Sequence, residues 1–495
     1  MLVRIIEAEL RNFKNVESGT IKFANFNAVM KNGKLEEADL AGIYGANGSG
    51  KTAMVEALSI LREILLGGAI PQEPYSGLVS AAGDTVLSFK FYIENNDSKS
   101  LASYAVNLLP LPNGTNEGHL PLFKERLTYY TFADGWQNKE ELSLTNVFYD
   151  MSAILNQDSP TLVKSNPESF ADIPLLAQPE KLIIVCAQRG VSIFFNEFLI
   201  QHLERLQPQS EAAISLKNII IALNLFSRLN FQVVKTNQLG AINLKTFLPL
   251  FIHERNENTI THGSFLINAK DEHIIEERDY EHLKKAIPAL NIALSALIPN
   301  LTIALKETDR SIRGDKSFVH ASIEAVRDGK HFSIRYESEG IQRIISVLSY
   351  LIALYNDPQI CLVVDEFDDG IFEYLLGELI GILGREAKGQ FIFTSHNLRV
   401  LEKLDNKRIF CTTINPKNRY IQLDGAERGN ARDFYIRSIV IGGQKEELYN
   451  ATELDDISAA FRRAYTSKNV MTAAEHAQKL NALKAAILKA EAAHE

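Results

Sequence analysis

Residues Gly45-Ala46-Asn47-Gly48-Ser49-Gly50-Lys51-Thr52 match the pattern G-x-x-x-x-G-K-[ST] in full. Such a loop turns successive backbone N–H groups inward around phosphate oxygens. Lys51 would reach the β- and γ-phosphates and Thr52 would hold Mg²⁺. The helix expected after the loop adds the positive end of its dipole. ATP and Mg²⁺ are therefore the implied ligand and cofactor, with Gly45, Asn47, Gly48, Ser49, Gly50, Lys51 and Thr52 as the cradle. The bland alternative is an ordinary glycine turn, which the apolar stretch before the loop and the helical pattern after it disfavour.

A second element is "ICLVVDEFDD", an apolar run that delivers Asp365 and Glu366 at its end. An aspartate there suits the outer shell of Mg²⁺, and the adjacent glutamate suits a base that orients water toward a γ-phosphate. Without the phosphate loop the pair would read as an exposed acidic turn. His396, in "FIFTSHN", follows another buried strand 31 residues after Asp365. A lone histidine is usually ordinary surface or core, but this position suits a group that hydrogen-bonds the transferring phosphoryl. In "YESEGIQR", Ser338 and Gly340 open a helix just upstream of the carboxylates and offer a second anion-binding surface.

These residues need strands to carry them. Residues 3–10, "TIKF" and "ADLAGIYG" read as strands, the last feeding the loop. From Thr52 the positions Val55, Leu58, Leu61 and Leu65 repeat at helical spacing. "TVLSFKFYIE", "LASYAVNLL" and "KERLTYYTF" predict further paired strands. Residues 150–180 read as a connection. Helical faces follow in Phe195, Leu199, Leu203 and Leu206, in Leu216, Ile219, Leu223 and Phe226, and in Leu283, Ile287, Leu290, Leu294 and Leu297. Strand-like sequence returns at "LTIAL" and "HFSIRYES", followed by a helix near 340–355 and strands at "ICLVV", "GQFIFTS" and "KRIFCTT". The alternation predicts an α/β fold with a mostly parallel sheet and an antiparallel β subdomain. The expected organisation is 1–150 for the first part of the head and 151–300 for a mainly helical insert. Residues 301–440 complete the head, and 441–495 form a helical tail with Leu480, Leu483 and Ile487 on one face.

Composition narrows the setting. The chain has 495 residues, a net charge of −9 and cysteines too far apart for a metal or disulfide pattern. No run approaches the about 18 continuous apolar residues of a membrane span, and the N-terminus has no secretion-signal pattern. A cytoplasmic protein without a membrane partner is expected. The acidic balance argues against a uniformly basic nucleic-acid binder but leaves room for a local basic groove.

In order, phosphate loop, insert, Ser-x-Gly helix, Asp-Glu strand and His strand resemble the head of ABC-type ATPases. The opening "IIEAELRNFKN" resembles the RecF, SMC and OLD (overcoming-lysogenization-defect) branch. Within it the chain is most similar to stand-alone OLD-like ATPases of bacterial anti-phage defence, such as those of the PARIS and Septu systems. The resemblance implies catalytic roles for Lys51, Glu366 and His396 and metal contacts from Thr52 and Asp365. It further implies that Ser338 and Gly340 contact the nucleotide of a second subunit, in a head-to-tail homodimer or a larger homo-oligomer. Asp369 falls at the family's interface loop, and Arg11 and Lys14 at its basic element, with a solvated surface charge the equal alternative for each of the two. The sequence departs from the family in "SEGIQ", where Glu339 replaces a small residue. Gln72 is the nearest match to the family's loop glutamine.

The residues after 440 are too few for the Toprim nuclease domain of OLD proteins, and the histidines form no metallonuclease motif. An ATP-driven sensor and assembly scaffold acting on a separate effector, a nuclease or a toxin, is the expected function. The alternative is a RecF-like ATPase that binds DNA in repair or replication. An ABC transporter subunit fits poorly, for want of "LSGGQ" and of a membrane-docking feature.

Overall fold

The computed structural model describes residues 1–33, 35, 39–80, 84–95, 98–109, 118–120, 122–132, 144–150, 162–164, 172–177, 180–235, 247–255, 260–268, 273–424, 430–450 and 453–465. Met1–Leu448 form one compact unit and Tyr449–Glu495 a second.

The first unit opens with the hairpin β1 (Leu2–Phe13) and β2 (Val16–Lys22), then helix α1 (Phe26–Asn32) and strand β3 (Asp39–Tyr44). The phosphate loop leads into α2 (Lys51–Leu65), and an antiparallel run follows in β4 (Thr85–Glu94), β5 (Lys99–Leu108), β6 (Leu122–Phe132), β7 (Leu144–Asp150) and β8 (Leu162–Lys164). Helices α3 (Glu180–Arg189), α4 (Glu197–Arg205) and α5 (Glu211–Leu225) come next. Strand β9 (Phe231–Val234), the hairpin β10 (Phe247–Arg255) and β11 (Ile260–Asn268), and β12 (His273–Glu276) lead to α6 (Glu277–Leu297). A long ribbon, β13 (Leu301–Arg313) and β14 (Lys316–Arg327), ends in β15 (Lys330–Ser333). Then come α7 (Glu339–Asn356), β16 (Cys361–Val364), α8 (Glu373–Glu386), β17 (Gln390–Thr394), β18 (Ile409–Thr412), β19 (Tyr420–Gln422) and α9 (Ala431–Val440).

Among the described residues, a six-stranded sheet runs β19-β18-β3-β17-β16-β9 and a seven-stranded sheet runs β2-β1-β4-β5-β6-β7-β8. Strands β18, β3, β17, β16 and β9 are mutually parallel, and β19 closes the edge antiparallel. Both faces of the parallel sheet are covered, which is why its strands read as unbroken apolar runs. Ala41, Ile43, Val363, Ile392 and Phe410 pack into one core with α2, the antiparallel sheet, α4 and α5. Leu40, Tyr44, Leu362, Val364, Phe391 and Phe393 alternate onto the opposite core with α6, α7 and α8. This is the α/β arrangement, with its antiparallel β subdomain, that the alternation predicted.

The structure differs from the sequence expectations in three places. The segment 151–300, expected to be mainly helical, also contributes β9 to the parallel sheet, the β10–β11 hairpin, and β12 paired with β14. Strands β9 and β12 are only four residues long, so they leave little period-2 signal. The strand expected at "LTIAL" continues to Arg313 and pairs with β14, because exposed residues such as Lys306, Glu307 and Asp309 carry no apolar alternation. The strand expected at "HFSIRYES" stops at Ser333, where Ile334–Tyr336 turn tightly. The Gln342 amide holds that turn by donating to Ile334 O at 3.2 Å and Glu337 O at 2.9 Å.

Residues 441–448 belong with the first unit, and the second unit's described helix is α10 (Leu454–Tyr465). Leu480, Leu483 and Ile487 lie outside the described residues, as does most of the connection at 150–180. One described segment, Glu211–Asn230, is long and apolar enough to cross a membrane. Its Leu216, Ile219, Ile220, Leu223 and Phe226 are buried in the core against α2.

Candidate functional site

Parallel pairing brings distant residues to one edge. Val364 pairs with Phe393 and with Val234, Thr394 pairs with Ile43, and Cys411 pairs with Tyr44. Asp365, Lys235, Gly45 and Thr412 are each the next residue along, and His396 comes two after Thr394. All therefore stand at the carboxyl ends of the strands, where open α/β sheets bind ligands.

The phosphate loop is held from several sides. Gly45, Gly48 and Gly50 have φ of 153°, 72° and 107°, a backbone region that side chains disfavour. At Gly45 there is no room either, since a Cβ would lie 1.7 Å from Thr412 Oγ1. That hydroxyl lies 2.5 Å from Ser49 Oγ and 3.2 Å from Tyr44 O. Asn15 Nδ2 donates to Gly48 O, and Tyr420 OH donates to Gly50 O at 2.7 Å. Asn47 and Gly48 remain exposed at the tip. Lys51 Nζ lies within the loop and donates to Gly45 O at 2.8 Å and Ala46 O at 2.9 Å. Burial lowers its pKa from 10.5 to about 8, against the pull of Asp365, Glu366 and Asp368.

Thr394 fixes the carboxylate pair. Its hydroxyl donates to Asp365 Oδ1 at 2.6 Å and accepts from Glu366 N at 2.7 Å. Asp365 is buried and Glu366 half-buried. Glu366 has φ 48°, a left-handed conformation unusual for a non-glycine residue. His396 is exposed, and its backbone N–H donates to Asp368 Oδ2 at 3.1 Å. Partial burial and the charge of Lys51 lower its imidazole pKa, against Asp368, Glu366 and Asp365. Among the described residues no three His, Cys, Asp or Glu side chains cluster as a metal cage. Mg²⁺ needs none, because it takes one or two protein oxygens together with water and substrate phosphates. The hard-oxygen pair Thr52 and Asp365 fits such an ion.

Ser338 caps α7, its Oγ accepting from Ile341 N at 3.4 Å. Ser338 and Glu339 are exposed, as are Tyr336 and Phe372. The turn beneath is rigid: Arg327 grips the buried Glu337 in a fork, Nε to Oε1 at 2.7 Å and Nη2 to Oε2 at 3.2 Å. Gly340 packs against the loop after the carboxylates, with room for no side chain.

The edge thus assembles Gly45 to Thr52, Asp365, Glu366 and His396, while Ser338 and Gly340 form a neighbouring exposed helix start. Lys14 pairs with Glu56 of α2 at 3.2 Å, whereas Arg11 pairs with Glu9 on the antiparallel sheet at 2.6 Å. Gln72 begins a one-turn helix whose N–H bonds Gly118 O at 2.9 Å. At the end of β9, beside Asp365, stands Lys235, whose amine donates to Tyr75 OH at 2.6 Å. Asn15, Lys235, Arg343, Asp368, Thr394 and Thr412 escape sequence reasoning. Arg343 had one visible signal, a charge inside the apolar stretch of α7.

Strand order and loop together define an α/β fold with a phosphate loop between a buried parallel strand and a helix. Similar solved structures include an Smc head bound to the C-winged helix domain of ScpA, with 14% identity and a TM-score of 0.37 over 85% of this chain and 98% of that one. An Smc head from Pyrococcus furiosus, bound to the C-terminal domain of ScpA, shows 14% identity and a TM-score of 0.38 over 85% and 96%. The SMC head domain from Thermotoga maritima shows 13% identity and a TM-score of 0.35 over 85% and 100%. No protein-family model and no curated protein matches the chain.

Proposed function

We propose that the chain binds and hydrolyses ATP, and that a second copy completes each site in a head-to-tail homo-oligomer. The observation that carries this reading is the convergence of Lys51, Asp365, Glu366 and His396 at one edge of the parallel sheet. The loop N–H groups and Lys51 bind the β- and γ-phosphates, as in other phosphate loops. Thr52 and Asp365 would hold Mg²⁺, which when bound would offset negative charge developing on the phosphates. Glu366 orients a water and takes its proton as the oxygen attacks the γ-phosphorus. The bond to the β-phosphate oxygen breaks, leaving ADP and phosphate. His396 donates to the transferring phosphoryl group. Ser338 and the start of α7 meet the phosphate held by the partner, where exposed N–H groups favour an anion.

The finer reading is a nucleotide-driven switch. ATP joins subunits, hydrolysis rearranges them, and a separate nuclease or toxin in anti-phage defence responds. The order of motifs supports it.

Mixing two dead variants tests the composite site. Lys51→Ala and Ser338→Arg each remove activity alone. Heterodimers retain one site with an intact loop and an intact partner serine, so ATP still joins the two variants and an equal mixture recovers up to about a quarter of the wild-type rate. Failure of ATP to join folded variants contradicts the shared site.

A further inference from the structure

The buried guanidinium of Arg343 ties the start of α7 to the backbone carbonyls of Asp365 and Glu366. Arg343 is 2% exposed. Its Nη2 donates to Glu366 O and, at 3.3 Å, to Asp365 O. Its Nη1 lies 3.5 Å from the exposed Asp369 carboxylate, and neither Nη1 nor Nε has a hydrogen-bond partner. A charged group this deep is costly unless it is fully paired, so the fold retains Arg343 at an energetic cost.

What the charge does follows from Glu366. Its left-handed backbone, φ 48°, is strained for a residue with a side chain. Both of its backbone polar groups are held: the N–H by Thr394 Oγ1 at 2.7 Å, the carbonyl by Arg343 and by Asp369 N–H at 3.1 Å. Thr394 belongs to β17, in the rigid sheet. Arg343 belongs to α7, five residues from Ser338. A second contact joins α7 to the loop after the carboxylates, since Gly340 meets Gly370 backbone to backbone. The first turn of α7 cannot shift or tilt without moving the carbonyl of Glu366 or breaking its hydrogen bond.

We propose that Arg343 is a positioning residue that couples engagement of Ser338 to the aim of the Glu366 side chain. The assignment rests on the ATPase reading above. It gives each subunit a route by which contact at α7 sets the turnover of that subunit's own phosphate loop. Two sites in one assembly are thereby linked through α7 rather than through the nucleotide alone.

Arg343→Met keeps the length and apolar stem and removes the donors. The full-length variant is expected to bind ATP within about threefold of wild type, because Arg343 does not touch the loop, while kcat falls about a hundredfold. A loss of kcat without a matching loss of affinity separates positioning from general damage. Arg343→Lys retains charge but not the planar guanidinium, and should keep the fold and lose about tenfold in kcat. It also decides the matter should Arg343→Met fail to fold. A folded Arg343→Met, or in its place a folded Arg343→Lys, with kcat within about threefold of wild type overturns the assignment. Glu366→Gln is assayed alongside: if it turns over normally, the ATPase reading itself fails, a different result from an inert Arg343 change.

Discussion

A Cβ added to Gly340 would lie 1.9 Å from the carbonyl oxygen of Gly370. The first turn of α7 and the loop that follows the carboxylates therefore pack as closely as backbone allows. The main-chain carbonyl of Gly370 cannot yield as a flexible side chain would. Gly340→Ala should lower stability by about 1–3 kcal/mol, read by urea unfolding. ATP hydrolysis should fall by more than about tenfold. Unchanged stability and rate would show that the two segments move apart freely.

Thr394 serves both carboxylate residues with one hydroxyl. Thr394→Val preserves shape but leaves Glu366 N–H and Asp365 Oδ1 without that partner. Such buried losses cost about 1–3 kcal/mol each. We expect a lower melting temperature together with slower turnover at saturating ATP. A fully stable and fully active variant would remove the hydroxyl from the account.

Lys51 gives the site a pH signature. Its folded pKa of about 8 lies below the 10.5 of a free lysine. Between those values the unfolded chain holds the proton longer, so this group's contribution to stability rises with pH across that window. ATP affinity runs the opposite way, since phosphate favours the charged amine. The Kd for ATP should stay flat just below pH 8 and rise above it, by up to about tenfold per pH unit. Titration with a fluorescent ATP analogue from pH 7 to 9.5 reads this directly, and a flat profile above pH 8 would contradict it.

The phosphate loop was legible because its glycines, Lys51 and Thr52 are fixed by local geometry. The carboxylate strand was legible because β16 is buried on both faces and ends abruptly in charge. The parallel sheet followed from such runs. The supports of the site were not legible, because they act across the chain. Asn15 reaches Gly48, Thr412 fills the space beside Gly45, and Thr394 serves Asp365. None of these partners is near in sequence, and none carries a distinctive residue type. The ribbon β13–β14 escaped for another reason: its outer half is solvated on both faces, so no alternation marks it. The turn at Ile334–Tyr336 looks like a strand by propensity, yet Gln342 captures its carbonyls from α7.

Lys51→Ala tests the loop by itself. It removes the cation that neutralises the phosphates, so ATP binding should weaken to the point of being undetectable at micromolar protein. Retained wild-type affinity would remove the loop assignment without touching the carboxylates.

The most direct test of the central claim joins turnover to assembly. Glu366→Gln leaves the loop and the start of α7 intact while removing the proton acceptor. Phosphate release and mass by light scattering, measured with and without ATP and Mg²⁺, report both consequences. The account predicts hydrolysis slowed by at least about a hundredfold and an ATP-dependent dimer or larger oligomer that persists. Normal hydrolysis by this variant, or a monomer at saturating ATP, would contradict it.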